Sequence, residues 1–475
     1  MFVQQFFMKG IAHSSYLLGG NKTCAIVDPS RDIDIYIQAA EGMGMEITHI
    51  LETHLHADFI SGHMELARRT EATIYAPASG DCAFDHVPLR EGDTFEIEDM
   101  KIEIVETPGH TPEGICYIIR DLARGEEPVA VFTGDTLFVG DVGRPDLFPG
   151  RAEELASRLY DSLHEKLMVL PDHCEVYPAH GAGSLCGRAM GAKRTSTIGY
   201  EKRYNKALLI QNREDFIRSL TTDMPAAPDH FARCSDINRK GPAVEAELPL
   251  LESMEPTRFK AFLEEEDAMV LDIRNFEAFG GAHLPGAYSI DFGGNFATFA
   301  GWILPPDKPL LLIARDGAQA SEAVIWLRRV GLDMVPGYLE GGLYAWVMAG
   351  FETSSVCQVS ARGLYEMTLG EEAINIVDVR AESEFAAYHI KGAVNIPVQD
   401  LRKPHLELDP SIPTITLCGS GHRSSLGSSL LKQKGFSEVL NVAGGITGYT
   451  KAGYAPQCPV CRLPHGPKFL GKDED

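Results

Sequence analysis

The stretch Thr53-His54-Leu55-His56-Ala57-Asp58-Phe59 places two histidines and one aspartate in a single short segment. It follows the apolar run 47–51, which predicts a β-strand, and precedes a helical pattern at about residues 64–70. Because side chains two positions apart in a strand share a face, alternation is expected to send His54 and His56 to the same side. Three metal-capable side chains at a strand-to-helix turn favour a metal site over a pair of structural histidines.

Three later segments add metal-capable side chains in a fixed order. The run 107–111 carries His110, an apolar strand ends at Thr133-Gly134-Asp135, and the run 177–181 carries His180. Taken together, the series resembles the metallo-β-lactamase superfamily over roughly residues 1–230. The resemblance implies an αββα sandwich, with the metal at one edge of its two sheets.

One position departs from that family pattern. Binuclear hydrolases of the superfamily usually read His-x-His-x-Asp-His, and Phe59 stands where the last histidine would be. A phenyl ring cannot ligate a metal, so we expect a mononuclear site. The remaining ligands suggested by the resemblance are His54, His110 and Asp135, and two imidazoles plus one carboxylate suit non-haem Fe(II) that handles dioxygen.

Within the superfamily, this pattern is similar to the persulfide dioxygenases, and the run 138–146 resembles that branch too. The resemblance implies a mononuclear Fe(II) cofactor, and His56, Asp58 and His180 would be outer-shell groups that orient ligands or waters. Cys186, six residues after His180, is a further candidate. It either handles substrate sulfur or is a small buried apolar residue, and the sequence leaves both open.

Composition sets the broad class. A chain of 475 residues with 44% hydrophobic and 23% charged residues predicts several globular domains, and the alternation of strand-like and helical segments favours the α/β class. The net charge of −24 makes nucleic acid and anionic membrane surfaces poor partners. The first residues do not resemble a signal peptide, and ten cysteines at this low density favour a reducing cytoplasm. We also expect a homo-oligomer.

Local patterns predict the elements of the first domain, which we place at residues 1–240. A hairpin is expected over 13–27, a helix over 31–43, one strand over 94–105 and a helix over 152–167. Further helices are expected over 197–207 and 213–219. The prolines between 225 and 249 indicate a loop-rich linker.

Two later segments resemble each other. The run 268–274, with Asp272, and the run 374–380, with Asp378, are offset by 378 − 272 = 106 residues. His283 and His389 repeat that offset, since 389 − 283 = 106. A repeat of this size is a duplicated domain. Both copies look like rhodanese domains, at 253–352 and 358–457, which implies α/β domains with parallel sheets.

The second copy carries a candidate nucleophile. Cys418 ends an apolar strand and precedes a loop and a helix, and backbone N–H groups in such a loop bind anions and favour the thiolate. Arg423 would add positive charge for an anionic sulfur donor or acceptor. The substrate-binding loop is expected to contain Gly419, Ser420, Gly421, His422 and Ser424.

The first copy lacks both the cysteine and the arginine. Ala314 aligns with Cys418 and Gln319 with Arg423, so the first copy is predicted to be inactive and to act as a spacer or docking surface. The tail, 458–475, contains Cys458 and Cys461 with His465 nearby. This Cys-x-x-Cys is half a zinc site, a redox pair or a simple tail motif.

These patterns lead to a functional prediction. We expect a persulfide dioxygenase joined to a rhodanese sulfurtransferase, acting on a small thiol persulfide (of glutathione, coenzyme A or similar), dioxygen, sulfite and thiosulfate. One alternative is a thioester hydrolase like glyoxalase II, which normally uses two metals. The other is a persulfide relay or sensor that has no catalytic metal.

Overall fold

A computed structural model describes residues 1–188, 190–222, 224, 226–403 and 408–454. The predicted tail motif with Cys458, Cys461 and His465 lies outside these residues. Contacts divide the chain into two compact units, Met1–Leu248 with Ile325–Asp333, and Pro249–Val324 with Met334–Asp475. Within the described residues, no helix has both the length and the apolar composition needed to span a bilayer.

The first unit contains two six-stranded sheets. In both sheets, strands that are consecutive in the chain lie side by side. The strands of the first sheet are Phe2–Met8, His13–Gly19, Thr23–Val27, Glu46–Leu51, Thr73–Pro77 and Val87–Leu89. The strands of the second sheet are Thr94–Ile97, Met100–Glu106, Ile115–Asp121, Pro128–Gly134, Glu175–Pro178 and Ser196–Thr197.

Apolar alternation along the strands builds three hydrophobic cores, one between the two sheets and one on each outer face. Leu18 and Val27 face Ile104 and Phe132 between the two sheets, while Leu17 points to the outer face of its sheet. Helices cover both outer faces, which produces the expected αββα sandwich. The helices of this unit are Asp34–Met43, His63–Thr70, Ala152–Asp161 with a π-helical turn Ser162–Leu167, Ile198–Tyr204, Arg213–Thr221 and His230–Lys240.

Several local predictions are confirmed and three are wrong. The hairpin over 13–27 and the helix that ends at Gly44 are present. The single strand predicted over 94–105 is a hairpin, which turns at Glu98 with φ of 51°. The predicted linker contains the helix His230–Lys240. The strand before the histidines ends at Leu51, so His54 and His56 lie in a loop and the alternation argument does not apply to them.

The second unit contains two parallel five-stranded sheets with the same spatial order, one for each sequence repeat. The first repeat has strands Glu252–Met254, Met269–Asp272, Tyr288–Ser289, Leu310–Ile313 and Gly337–Leu339, with helices Pro256–Glu265, Phe276–Gly281, Phe296–Ile303, Gly317–Arg329 and Gly342–Met348. The second has strands Cys357–Val359, Asn375–Asp378, Val394–Asn395, Thr414–Leu417 and Val439–Val442, with helices Ala361–Leu369, Glu382–Ala387, His422–Gln433 and Gly445–Lys451.

Candidate metal centre and sulfurtransferase loop

Strand ends bring the candidate metal ligands to one edge of the sandwich. Asp135 directly follows the strand Pro128–Gly134, which is parallel to Glu175–Pro178 and thus ends beside His180. His54 follows the strand Glu46–Leu51, and His110 lies in the loop before Ile115–Asp121. One ligand-capable atom each of His54, His110 and Asp135 lies within 4.8 Å of the others.

Three buried atoms in this cluster have no hydrogen-bond partner in the described structure. They are Nε2 of His54, Nε2 of His110 and Oδ2 of Asp135. Oδ2 lies 3.8 Å from the first nitrogen and 3.3 Å from the second. Because a buried polar atom without a partner is costly, three that converge on one point fit a metal ion.

The other ring nitrogens are anchored. His54 Nδ1 lies 2.9 Å from the Thr53 hydroxyl, and His110 Nδ1 donates to the Arg144 carbonyl at 2.8 Å. These contacts leave each Nε2 directed into the cluster. Burial lowers the pKa of both imidazoles, so the neutral form that a metal requires prevails.

Asp135 is held by a chain of charged groups. Its Oδ1 lies 2.7 Å from His180 Nδ1, and His180 Nε2 lies 2.8 Å from Asp58 Oδ2. Burial alone would raise the pKa of Asp135, but the nearby His180, His110 and His54 hold it well below its usual range. Burial alone would lower the pKa of His180. The two carboxylates outweigh burial and raise this pKa well above its ordinary value. The two carboxylates therefore favour the protonated form of His180.

His56 lies behind the proposed ligand His54, and its contacts differ from those that strand alternation predicts. Its Nε2 is 3.2 Å from Asp28 Oδ1 and 3.8 Å from Glu52 Oε2, while its ring lies beside that of His54 with centroids 4.2 Å apart. Asp28 also accepts from the backbone N–H and the hydroxyl of Thr53, at 2.8 and 2.9 Å. Asp28 therefore fixes the residue that orients His54, a role the sequence analysis missed although Asp28-Pro29 visibly ends a strand.

Two more groups missed in the sequence support His110. Arg144 is 1% exposed in its side chain, and its guanidinium pairs with Asp146 at 2.7 Å. This pairing fixes the backbone whose carbonyl holds His110. Gly143 is required next to it, because a Cβ there would lie 2.0 Å from the Asp135 carbonyl oxygen. Gly143 and Arg144 both belong to the run 138–146, so these contacts give a physical reason for the residues found in that run.

Cys186 lies beside the same cluster. Ligand-capable atoms of Cys186, Asp58 and His180 lie within 4.8 Å of one another, and the side chain is 1% exposed. Burial, followed by the charges of Asp58 and Asp135, raises the thiol pKa well above its ordinary value. Cys186 therefore lies beside Asp58 and His180, in surroundings that favour the protonated thiol.

A small cavity of about 10 Å³ touches His54, His110 and Asp135, and Thr111 is among its walls. Thr111 also lines a larger cavity of about 380 Å³, together with Phe148, Phe231 and Arg239. The second cavity gives the cluster an adjoining space of the size that small organic ligands occupy.

In the second unit, Cys418 directly follows the strand Thr414–Leu417, and the helix His422–Gln433 begins four residues later. The Gly421 N–H donates to Cys418 Sγ at 3.1 Å, and the Ser424 hydroxyl lies 3.3 Å from it. Gly421 has φ of 113°, a conformation that favours glycine. The Gly421 N–H is therefore aimed at the sulfur, which is the arrangement of an anion-binding loop.

Further contacts fix Arg423 and the loop that contains Cys418. Arg423 pairs with both carboxylate oxygens of Glu384, at 2.6 and 2.8 Å, so Glu384 is a further residue that the sequence analysis missed. Gly445 packs against the loop, because a Cβ there would lie 2.3 Å from the Cys418 carbonyl oxygen. In the first repeat, Ala314 follows Leu310–Ile313 in the equivalent place.

Comparison with known proteins agrees with this architecture. The metallo-beta-lactamase superfamily model matches residues 8–180, and the rhodanese-like domain model matches residues 255–349 and 360–452. A crystal structure of a metallo-beta-lactamase from Staphylococcus aureus subsp. aureus COL is 36% identical, with a TM-score of 0.64, over 71% of this chain and 98% of that one. The chain belongs to the metallo-β-lactamase superfamily, and two rhodanese-like domains follow its metallo-β-lactamase domain.

Two groups of relatives match the first domain. The persulfide dioxygenase ETHE1 of Bos taurus is 29% identical over 46% of this chain and 79% of its own length. A hydroxyacylglutathione hydrolase of a Synechococcus species is 35% identical over 34% of this chain and 60% of its own length. The chain thus combines two enzyme families, and the similarity of its first domain extends to both a dioxygenase and a hydrolase.

Proposed function

We propose that the first domain is a mononuclear Fe(II) persulfide dioxygenase and that Cys418 is the nucleophile of a sulfurtransferase. The observation that supports this most directly is the convergence of three unpartnered atoms of His54, His110 and Asp135, while Phe59 stands where hydrolases have a ligand. Those three residues would hold the metal, which when bound supplies the redox chemistry with dioxygen. The overall reaction consumes a thiol persulfide, dioxygen and water, and releases the thiol and sulfite.

The protein's own groups have distinct tasks in this proposal. His180 and Asp58 hold Asp135 in one orientation, and Thr53 and the Arg144 carbonyl do so for the two imidazoles. The adjoining cavity of about 380 Å³ would hold the thiol carrier, and Cys186 would lie beside the reacting sulfur. The sulfite formed is then available to a sulfur-loaded Cys418, which would yield thiosulfate. We place this activity in the cytoplasm of the cell, and in a homo-oligomer.

The test combines metal analysis with oxygen uptake. The purified chain is loaded with iron or zinc, and uptake is measured with glutathione persulfide as the substrate. One iron per chain with persulfide-dependent uptake supports the proposal. Two zinc ions per chain, thioester hydrolysis and no uptake would support the hydrolase that some relatives represent. A chain that binds no metal and passes sulfur onward would support the relay.

A further inference from the structure

The two rhodanese-like repeats share one large cavity. Its volume is about 1040 Å³, and its lining comes from Asn275, Ala278, Asp291, Phe299 and Arg315 of the first repeat and from His422 and Arg423 of the second, among others. His422 and Arg423 begin the helix that follows the Cys418 loop. The first repeat therefore supplies most of the residues that line this cavity.

Direct contacts tie this wall to the loop. His422 Nδ1 lies 2.7 Å from Asp291 Oδ2, and the His422 ring meets the edge of Phe276 with centroids 5.1 Å apart. Behind them, the Ser289 hydroxyl lies 2.8 Å from that of Ser425. The first repeat is thus continuous with the active loop, which a simple spacer would not need to be.

The cavity is far larger than an inorganic sulfur donor requires. Thiosulfate has about five non-hydrogen atoms and would occupy about 150 Å³ at roughly 30 Å³ for each atom of water size. A cavity of about 1040 Å³ lies at the upper end of the range for organic ligands and cofactors. Cys418 itself is 1% exposed. The cavity reaches the second repeat at His422, Arg423 and Leu426, which follow the Cys418 loop, so a bulky carrier in the cavity would have to direct only a narrow group, such as the terminal sulfur of a persulfide, towards Cys418.

The lining also indicates what kind of carrier fits. Asp291 Oδ1 is buried and has no hydrogen-bond partner among the described residues, so it calls for an N–H donor. Arg315 lies at the rim with its side chain 74% exposed and can meet a carboxylate, although Asp316 already contacts its Nε at 2.9 Å. Phe299 adds an apolar surface. An amino-acid-derived thiol has the ammonium, carboxylate and apolar parts that match these three features.

We propose that the first rhodanese-like repeat is the carrier-binding half of the sulfurtransferase site, and that it takes an amino-acid-derived thiol persulfide about the size of glutathione. This inference rests on the proposed sulfurtransferase function of Cys418. The Cys418 thiolate attacks the terminal sulfur of R–S–SH, the S–S bond breaks, and its electron pair leaves with the carrier as R–S⁻. The product is Cys418–S–SH, and sulfite later removes that sulfur as thiosulfate, with no net oxidation or reduction.

The test measures sulfur loading of Cys418 in the full-length chain, without dioxygen, by mass spectrometry of the Cys418 peptide. Ala278→Trp and Gln319→Trp each place an indole in the cavity from a different helix of the first repeat. We expect each to slow loading from glutathione persulfide about tenfold and to leave loading from thiosulfate within about twofold. Ala349→Trp, at an exposed position of the same repeat, is the matched control and should change neither rate.

The possible results separate the two proposals. Equal slowing with both donors would mean that the wall supports the loop and does not bind the carrier, which overturns the inference. Unchanged rates in both cavity variants would do the same, and faster loading from a coenzyme A persulfide than from glutathione persulfide would overturn the carrier class. If wild-type Cys418 accepts sulfur from no donor, the sulfurtransferase function itself fails.

Discussion

Replacing His180 by alanine tests the chain of charges behind the metal centre. The imidazole bridges Asp135 Oδ1 at 2.7 Å and Asp58 Oδ2 at 2.8 Å, and its side chain is completely buried. Without it, two buried carboxylates face each other with no proton between them. Asp135 then loses the contact that fixes its orientation and gains a repulsive neighbour.

The magnitude follows from these contacts. Removing a group that orients a metal ligand typically lowers metal affinity by about 10- to 100-fold, which is about 1.4 to 2.7 kcal/mol. We place His180→Ala at the upper end, because the lost group contacts the ligand directly and carries the charge that offsets Asp58. Asp58→Asn keeps the bond between His180 and Asp135, so its effect should lie at the lower end.

Competition with a chelator series measures the iron affinity, and thermal unfolding of the metal-free chain reports on folding. His63→Ala is the matched control, since His63 is also buried, at 1% exposure, and its ring nitrogen lies 3.4 Å from Glu52 rather than from Asp135. The reasoning is refuted if His180→Ala and His63→Ala bind iron equally well while His110→Ala does not bind it.

Four further predictions use single substitutions. His110→Ala should remove the iron and oxygen uptake but leave sulfur loading of Cys418 unchanged, and retention of one iron per chain would disprove the ligand assignment. Phe59→His should raise metal content above one ion per chain in zinc excess, because it restores a ligand; content that stays at one shows that another group limits the site. Cys186→Ser should slow persulfide turnover severalfold at constant iron content, whereas unchanged kinetics would indicate a packing role only. Cys418→Ser should abolish sulfur transfer while oxygen uptake persists, so that sulfite accumulates, and thiosulfate formation at the wild-type rate would exclude this cysteine.

Patterns that repeat at fixed spacing were predictable from the sequence. The αββα class, the parallel sheets of the two repeats and the strand that precedes Cys418 follow from apolar periodicity and family motifs. The hairpin over 94–106 was not predictable in this way, because both of its strands are rich in β-formers. Its turn depends on a left-handed conformation at Glu98. Glycine or asparagine at this position would have indicated a turn, and glutamate does not.

Contacts between distant segments explain most of the other misses. His56 lies in a loop, where its direction is set by Asp28 and Glu52 and not by strand alternation. The helix His230–Lys240 follows a proline-rich run, and its Asn238 donates to the carbonyls of His56 and Phe59 at 2.8 Å. These hydrogen bonds fix the loop that contains His54 to a helix about 180 residues later in the chain. Sequence periodicity does not predict contacts between such distant segments.

The single-metal proposal gains support from how the structure uses the residues of a second site. Phe59 packs against the ring of His13, with centroids 4.0 Å apart, and against that of His56 at 4.5 Å, so it fills the space of a missing ligand with apolar contacts. The two nitrogens of His180 lie 2.7 Å from Asp135 Oδ1 and 2.8 Å from Asp58 Oδ2, so each faces a carboxylate that favours a proton on it. Burial also raises the pKa of the Cys186 thiol, so a metal at this cysteine would have to displace its proton. The positive charge that a second ion would bring to Asp58 is supplied here by the proton on His180. A second ion would have to displace that proton, and for this reason one metal is the state that the charges of the site favour.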